Sequence, residues 1–151
     1  MQQASVEQCV FCRIIRGEAQ GHIVFEDTVS LALLDRRPLF PGHCLLVPKG
    51  HYPTLLELPE TLIQPLFATA QLLARAVEEG LVAEGSFVAI NNRVSQSVPH
   101  LHIHIVPRRR KDGLRGFFWP RQPYKDEEAI RHTQEAVRAA LARLRPRRRE
   151  C

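Results

Sequence analysis

Residues 98–107 read Val-Pro-His-Leu-His-Ile-His-Ile-Val-Pro, so imidazoles recur at every second position from 100 to 104. Along an extended chain, side chains alternate between faces. His100, His102 and His104 therefore share one face, and Leu101, Ile103 and Ile105 the other. Same-face neighbours stand about 6.6 Å apart. Packing seldom produces three aligned imidazoles opposite an apolar face, but two kinds of chemistry do. Histidines at i and i+2 can converge on a cation. Alternatively, one imidazole attacks phosphorus while the others hold phosphate oxygens. An ordinary pKa near 6.5 leaves the neutral, nucleophilic nitrogen available for that task. Spacing alone does not choose between them.

Cys9-x-x-Cys12 is a second group with chemical potential. A redox pair, half of a metal site and chance all produce such a pair. A thioredoxin-like unit needs a strand before the pair, and eight residues are too few to supply one. A tetrahedral zinc needs two more nitrogen or sulfur ligands. Cys44 lies in an apolar run and reads as core, and Cys151 is a tail residue with no implied role.

The elements that must position these residues follow from periodicity. Short strands are predicted at His22–Glu26, Val29–Leu34, His43–Val47 and Ser86–Ile90, with the histidine strand at Val98–Val106. Between Thr61 and Glu79 the period changes. Leu62, Leu66, Ala70, Leu73, Ala74 and Val77 fall at helical spacing, with Gly80 placed as a C-cap and Pro65 near enough to the start to be tolerated. Asp126 is a candidate N-cap for a last helix carrying Ile130, Thr133, Val137, Leu141 and Leu144 on one stripe. The predicted class is α+β, with about five mostly antiparallel strands, one long central helix and a C-terminal helix.

Composition bounds the function. The chain has 151 residues, 44% hydrophobic and 25% charged, with a formal charge of +5. That suits one compact domain and excludes a wholly disordered chain. No apolar run approaches the ~20 residues needed to cross a membrane. Without a signal-peptide pattern, a cytoplasmic protein with no membrane partner is the default. From Arg143 to Cys151, five arginines and one glutamate carry +4, so overall basicity says little about a site. Residues 1–144 read as a single domain and 145–151 as a basic, disordered tail.

The sequence His100-Leu101-His102-Ile103-His104-Ile105-Val106 resembles the motif of the histidine triad (HIT) family of nucleotide hydrolases and transferases. Upstream, Cys9-Val10-Phe11-Cys12-Arg13-Ile14-Ile15, Leu34-Asp35, Pro41-Gly42-His43, Val47-Pro48-Lys49-Gly50-His51 and Gln96-Ser97-Val98 are similar to that family in order and separation, over roughly residues 9–110. The resemblance implies a HIT-like fold. It also implies attack by His102 on the α-phosphorus of a nucleotide, a nucleotidyl-histidine intermediate, and release of a nucleoside monophosphate. His104 and His43 would hold phosphate oxygens with help from Asn91, Gln96 and Ser97, and Asp35 would bind the ribose hydroxyls. In place of an activating carboxylate, the family orients the nucleophilic ring through a backbone carbonyl. Only Arg93-Val94-Ser95 stand between Asn91-Asn92 and Gln96, a shorter loop than the family commonly has.

A zinc-binding, bacterial-type subset of the family is similar in its Cys-x-x-Cys. There the resemblance implies a closed, structural zinc held by Cys9, Cys12, His51 and His100. It also implies a homodimer. Dinucleoside polyphosphates such as diadenosine tetraphosphate, or nucleoside phosphoramidates, are the implied substrates. The alternatives are a transferase with a non-water acceptor, and a non-enzymatic nucleotide- or nucleic-acid-binding module driven by the basic stretches. Arg108-Arg109-Arg110-Lys111 reads either as a solvated loop or as an attractor of polyphosphate. The segment Gly113–Pro120, with Phe117, Phe118 and Trp119, reads as a buried or dimer contact or as a base-stacking surface.

Overall fold

The computed structural model describes residues 6–114 and 122–144. The chain falls into two compact units, Met1–Gly113 and Leu114–Cys151. In the first unit, α1 (Val10–Ile15) precedes β1 (Ile23–Glu26), β2 (Ser30–Leu34) and β3 (Cys44–Pro48). The helix α2 (Glu60–Gly80), β4 (Gly85–Ile90) and β5 (Ile103–Arg108) follow. The strands form one antiparallel sheet in the order β1-β2-β3-β5-β4. The second unit contains α3 (Glu127–Leu144), whose Ala129 amide donates to the Asp126 carboxylate at 2.8 Å, the expected N-cap. This is the predicted α+β, HIT-like architecture. The aromatic segment 115–121 and the tail 145–151 lie outside the described residues.

Strand alternation sorts the apolar residues into two layers. Ala32, Leu46, Leu101, Ile103 and Ile105 face Leu66, Ala70, Leu73 and Val77 of α2. Leu31, Leu33, Leu45 and Val47 point to the opposite face and pack on Phe11 and Ile14 of α1. The histidines lie on the α1 face, as the predicted alternation requires.

Three local expectations shift. The histidine strand joins the sheet at Ile103, not Val98, because its neighbours β3 and β4 both end their pairing there, at Leu46 and Ile90. Upstream of Ile103 the hydrogen bonds go elsewhere: the Leu101 amide donates to the Tyr52 carbonyl at 2.6 Å and the His100 amide to that of Val98 at 2.8 Å. Gly80 is the last residue of α2 rather than its cap. The left-handed position falls on Val82 (φ 52°), where the Ala83 amide reaches the Glu78 carbonyl at 2.9 Å in a Schellman-type ending. Finally, α1 has no counterpart among the predicted elements. It has no side-chain cap and is held by burial of Phe11, Cys12 and Ile14.

Candidate active site

Sheet register assembles the imidazoles. Leu45 of β3 pairs with His104 of β5, so His43, two residues before Leu45, stands diagonally beside His104 on the same face. Their rings meet through His43 Nε2 and His104 Nδ1 at 3.0 Å. The Asp35 amide donates to the His43 carbonyl at 2.8 Å, which brings Asp35 alongside. His102 and His104 have ring centroids 4.9 Å apart, and Phe11 lies 5.4 Å from His102.

Hydrogen-bond partners assign the ring protons. His102 Nδ1 lies 2.7 Å from the His100 carbonyl oxygen, which can only accept. Nδ1 therefore carries the hydrogen, and Nε2 keeps a lone pair. The Leu39 amide donates to His43 Nδ1 at 3.2 Å, so neutral His43 carries its proton on Nε2 and donates it to His104 Nδ1. That leaves His104 Nε2–H as a donor. The Asp35 carboxylate, 3.7 Å from His43 Nδ1, is too distant for a hydrogen bond. Burial pushes the His43 pKa down, against the pull of Asp35. Burial, reinforced by His102 and His43, pushes that of His104 down to about 4. Asp35, His43 and His104 also come within metal-ligand range of one another. Their facing lone pairs are already spent, however, on the Leu39 amide and the His43–His104 bond.

His102 and His104 open into a cavity of about 590 Å³. Phe11, Ile14, Leu33, Leu45 and Val98 give it an apolar wall, Asp35 and Ser97 a polar one, and Arg36 and Arg37 lie at the same site. Beside it, Cys9 Sγ and Cys12 Sγ lie 3.4 and 3.5 Å from His100 Nδ1, and His51 Nδ1 lies 3.2 Å from Cys12 Sγ. These four ligand atoms are within 4.8 Å of one another. Zinc bond lengths of about 2.3 Å to sulfur and 2.0–2.1 Å to nitrogen separate such ligands by about 3.5 Å in a tetrahedron. The donor set fits. The far nitrogen of His100, Nε2, donates to the Pro48 carbonyl at 2.9 Å, the outer-shell contact that orients a ligating imidazole. Burial and the neighbouring Cys9 push the Cys12 thiol up to about 11, a state that metal ligation would reverse.

The HIT domain model matches residues 16–111. The chain belongs to the HIT family. It is 39% identical over 108 residues to "Adenylylsulfatase HINT3" of Arabidopsis thaliana, covering 70% of this chain and 55% of that relative, so it spans about half the relative's length. Its structure is similar to that of SMU.412c from Streptococcus mutans, with a TM-score of 0.82, 31% identity, and coverage of 93% of this chain and 89% of the other. A Zn-bound histidine triad family protein from Mycobacterium smegmatis is 39% identical, with a TM-score of 0.69 over 93% of this chain and 97% of that one.

Within this HIT fold, the cavity brings together Asp35, Ser97, His102 and His104, with His43 buried behind His104. Asn91 and Gln96 are not among its lining residues. The Asn91 side-chain Nδ2 donates to the Ser95 carbonyl at 3.3 Å. Gln96 ties down the short loop, accepting from the Arg93 amide at 2.8 Å and donating to the Pro53 carbonyl at 2.6 Å. Three residues of the basic run that begins at the end of β5 are engaged within the chain. Arg108 pairs with Asp112 at 2.6 Å, Arg109 donates to two carbonyls at the end of α2, and Arg110 lies 3.6 Å from Glu84. Sequence reasoning missed the apolar wall. Its signal was the run of apolar residues on both faces of β2 and β3, of which α2 can cover only one.

Proposed function

We propose that this HIT protein is a nucleotide hydrolase. The single observation that carries the reading is the 2.7 Å bond from His102 Nδ1–H to the His100 carbonyl, which frees Nε2 beside a cavity with both apolar and polar walls. In this reading the base lies against Phe11, Ile14 and Leu33, and Asp35 accepts from the ribose hydroxyls. His102 Nε2 attacks the α-phosphorus. The P–N bond forms as the bond to the leaving group breaks, and the His100 carbonyl stabilises the charge gained by the ring. His104 Nε2–H and Ser97 hold phosphoryl oxygens, with His43 fixing the His104 tautomer. Water then displaces the imidazole, releasing nucleoside monophosphate and a proton and restoring the Nε2 lone pair. Asn91 and Gln96 serve by shaping the loop that carries Ser97.

The substrate class is a phosphoanhydride or phosphoramidate of a nucleoside 5′-phosphate, dinucleoside polyphosphates included. A relative named for adenylyl sulfate cleavage supports a variable leaving group. A structural zinc held by Cys9, Cys12, His51 and His100 is part of the reading, supported by the ligand spacing and by the Zn-bound relative. Such a site is closed and would pin α1 to the strand bearing the nucleophile. Two further parts are a homodimer, supported by the edge strand β4 with its exposed Val88, and a reducing cytoplasmic compartment, which thiolate ligands favour. Among the described residues, no helix is long and apolar enough to cross a membrane.

The test is a panel of adenine and guanine dinucleotides and phosphoramidates assayed for monophosphate release. Wild type should turn over, and folded His102→Ala should not, while still binding nucleoside monophosphate. Undiminished turnover by that variant would sink the mechanism. Label from inorganic phosphate in the product would show a transferase instead.

A further inference from the structure

His43 fixes the His104 tautomer only while the Leu39 amide points at Nδ1, so whatever holds residues 39–43 holds the site. The Phe40 carbonyl accepts from the His43 amide at 3.0 Å, closing a turn with Pro41 second and Gly42 third (φ 96°), the pattern of a type II turn. The outer side of that turn rests on the end of α2. A Cβ added at Gly42 would lie 2.1 Å from Leu81 Cδ1 and 3.4 Å from Pro107 Cγ, so Leu81 fills the space a side chain would occupy. The Schellman-type ending that carries Leu81 puts Val82, for which the left-handed backbone is unfavourable, at the position next to it. The ending is also tied from outside. Arg109 Nη1 donates to the Val82 carbonyl at 2.7 Å and Nη2 to the Leu81 carbonyl at 2.6 Å. The Arg109 backbone is fixed in turn, its amide donating to Asp112 at 3.0 Å. Phe40, Pro41, Leu81, Pro107 and Arg109 share one cavity of about 310 Å³ behind the turn, leaving room for the turn to sink if Leu81 moves.

We infer that Arg109 is a positioning residue for the His43–His104 pair. Its guanidinium fork clamps the last carbonyls of α2, Leu81 is thereby seated under Gly42, and the seated turn aims the Leu39 amide at His43. A planar fork with two fixed donors suits this clamp, and an ammonium does not reproduce it. The inference rests on the histidine cluster being the reacting site, but its principal measurement needs no substrate.

The experiment compares wild type, Arg109→Met, Arg109→Lys, Leu81→Ala and Val82→Gly as full chains, well below their melting temperatures. Imidazole ¹⁵N shifts report the tautomers of His43 and His104, and monophosphate release reports turnover. Arg109→Met and Leu81→Ala should make His43 a mixture of tautomers and lower kcat about tenfold, with KM changed much less, since a displacement of order 1 Å can cost up to ~10²-fold. Arg109→Lys should recover only part of the loss. Val82→Gly relieves the strained cap and keeps the backbone carbonyl that Arg109 Nη1 holds, so it should keep wild-type ring shifts. Wild-type ring shifts and kcat in folded Arg109→Met would overturn the proposal, leaving Arg109 a stabilising contact only. If that variant does not fold, the same result in Leu81→Ala overturns it. Absence of turnover in wild type, with the ring shifts changing as expected, would refute the hydrolase reading and leave the clamp standing.

Discussion

His104 should make the stability of this protein fall in acid. In an unfolded chain its imidazole titrates near 6.5, whereas in the folded site burial, His102 and His43 lower the value to about 4. Between these values the unfolded chain takes up a proton that the folded chain refuses. The stabilisation is therefore complete above pH 6.5 and is lost as pH falls towards 4, at up to ~1.4 kcal/mol per pH unit. The ring is only half-buried, and solvent screening reduces the total to about 1–2 kcal/mol. His104→Asn removes the titration while offering an oxygen that can accept from His43 Nε2–H. Urea denaturation of both proteins at pH 7 and pH 4.5 gives the comparison. Wild type should lose about 1–2 kcal/mol more than the variant between the two conditions. Equal losses in the two proteins would refute the reasoning, because they would mean that His104 binds its proton alike in both states.

Val82 is β-branched, 78% exposed and left-handed, so Val82→Gly should stabilise by about 1 kcal/mol, seen as a rise of a few degrees in melting temperature. Zinc analysis of purified protein should give about one ion per chain; Cys12→Ser or prolonged chelation should remove it and lower the melting temperature together, and an equally stable metal-free protein would reject the zinc site. Asp35→Asn should weaken binding of adenosine monophosphate roughly 10-fold or more. It should have little effect on the 2′,3′-dideoxy analogue, and calorimetry on the two ligands separates ribose recognition from general damage.

Much of the fold was legible because its signals are local. The helix predicted between Thr61 and Glu79 became α2 within one residue at each end, and Asp126 capped α3 as its side chain suggests. The shifts come from non-local hydrogen bonds. Val98–Leu101 has strand-like residues but no strand to pair with, because β3 gives way to Tyr52 and to the His100 side chain at Pro48. Val82 takes the left-handed position that Gly80, two residues earlier, was expected to mark, and Arg109 from 27 residues away donates to its carbonyl. In six-residue α1, burial supplies what propensity and capping do not.

The site divides along the same line. Residue type and period two were enough to place His102 and His104 on one face, away from Leu101, Ile103 and Ile105, since alternation belongs to any extended chain. Resemblance to a known family named the remaining donors. Which nitrogen carries each proton was decided by the His100 carbonyl and the Leu39 amide. Cys9 and Cys12 were brought against His51 and His100 by packing of α1 on the sheet. His43 met His104 because Leu45 and no other residue of β3 pairs opposite it. Register, tautomer and ligand convergence depend on groups distant in the chain, and only the folded chain brings those groups within a few ångströms of each other.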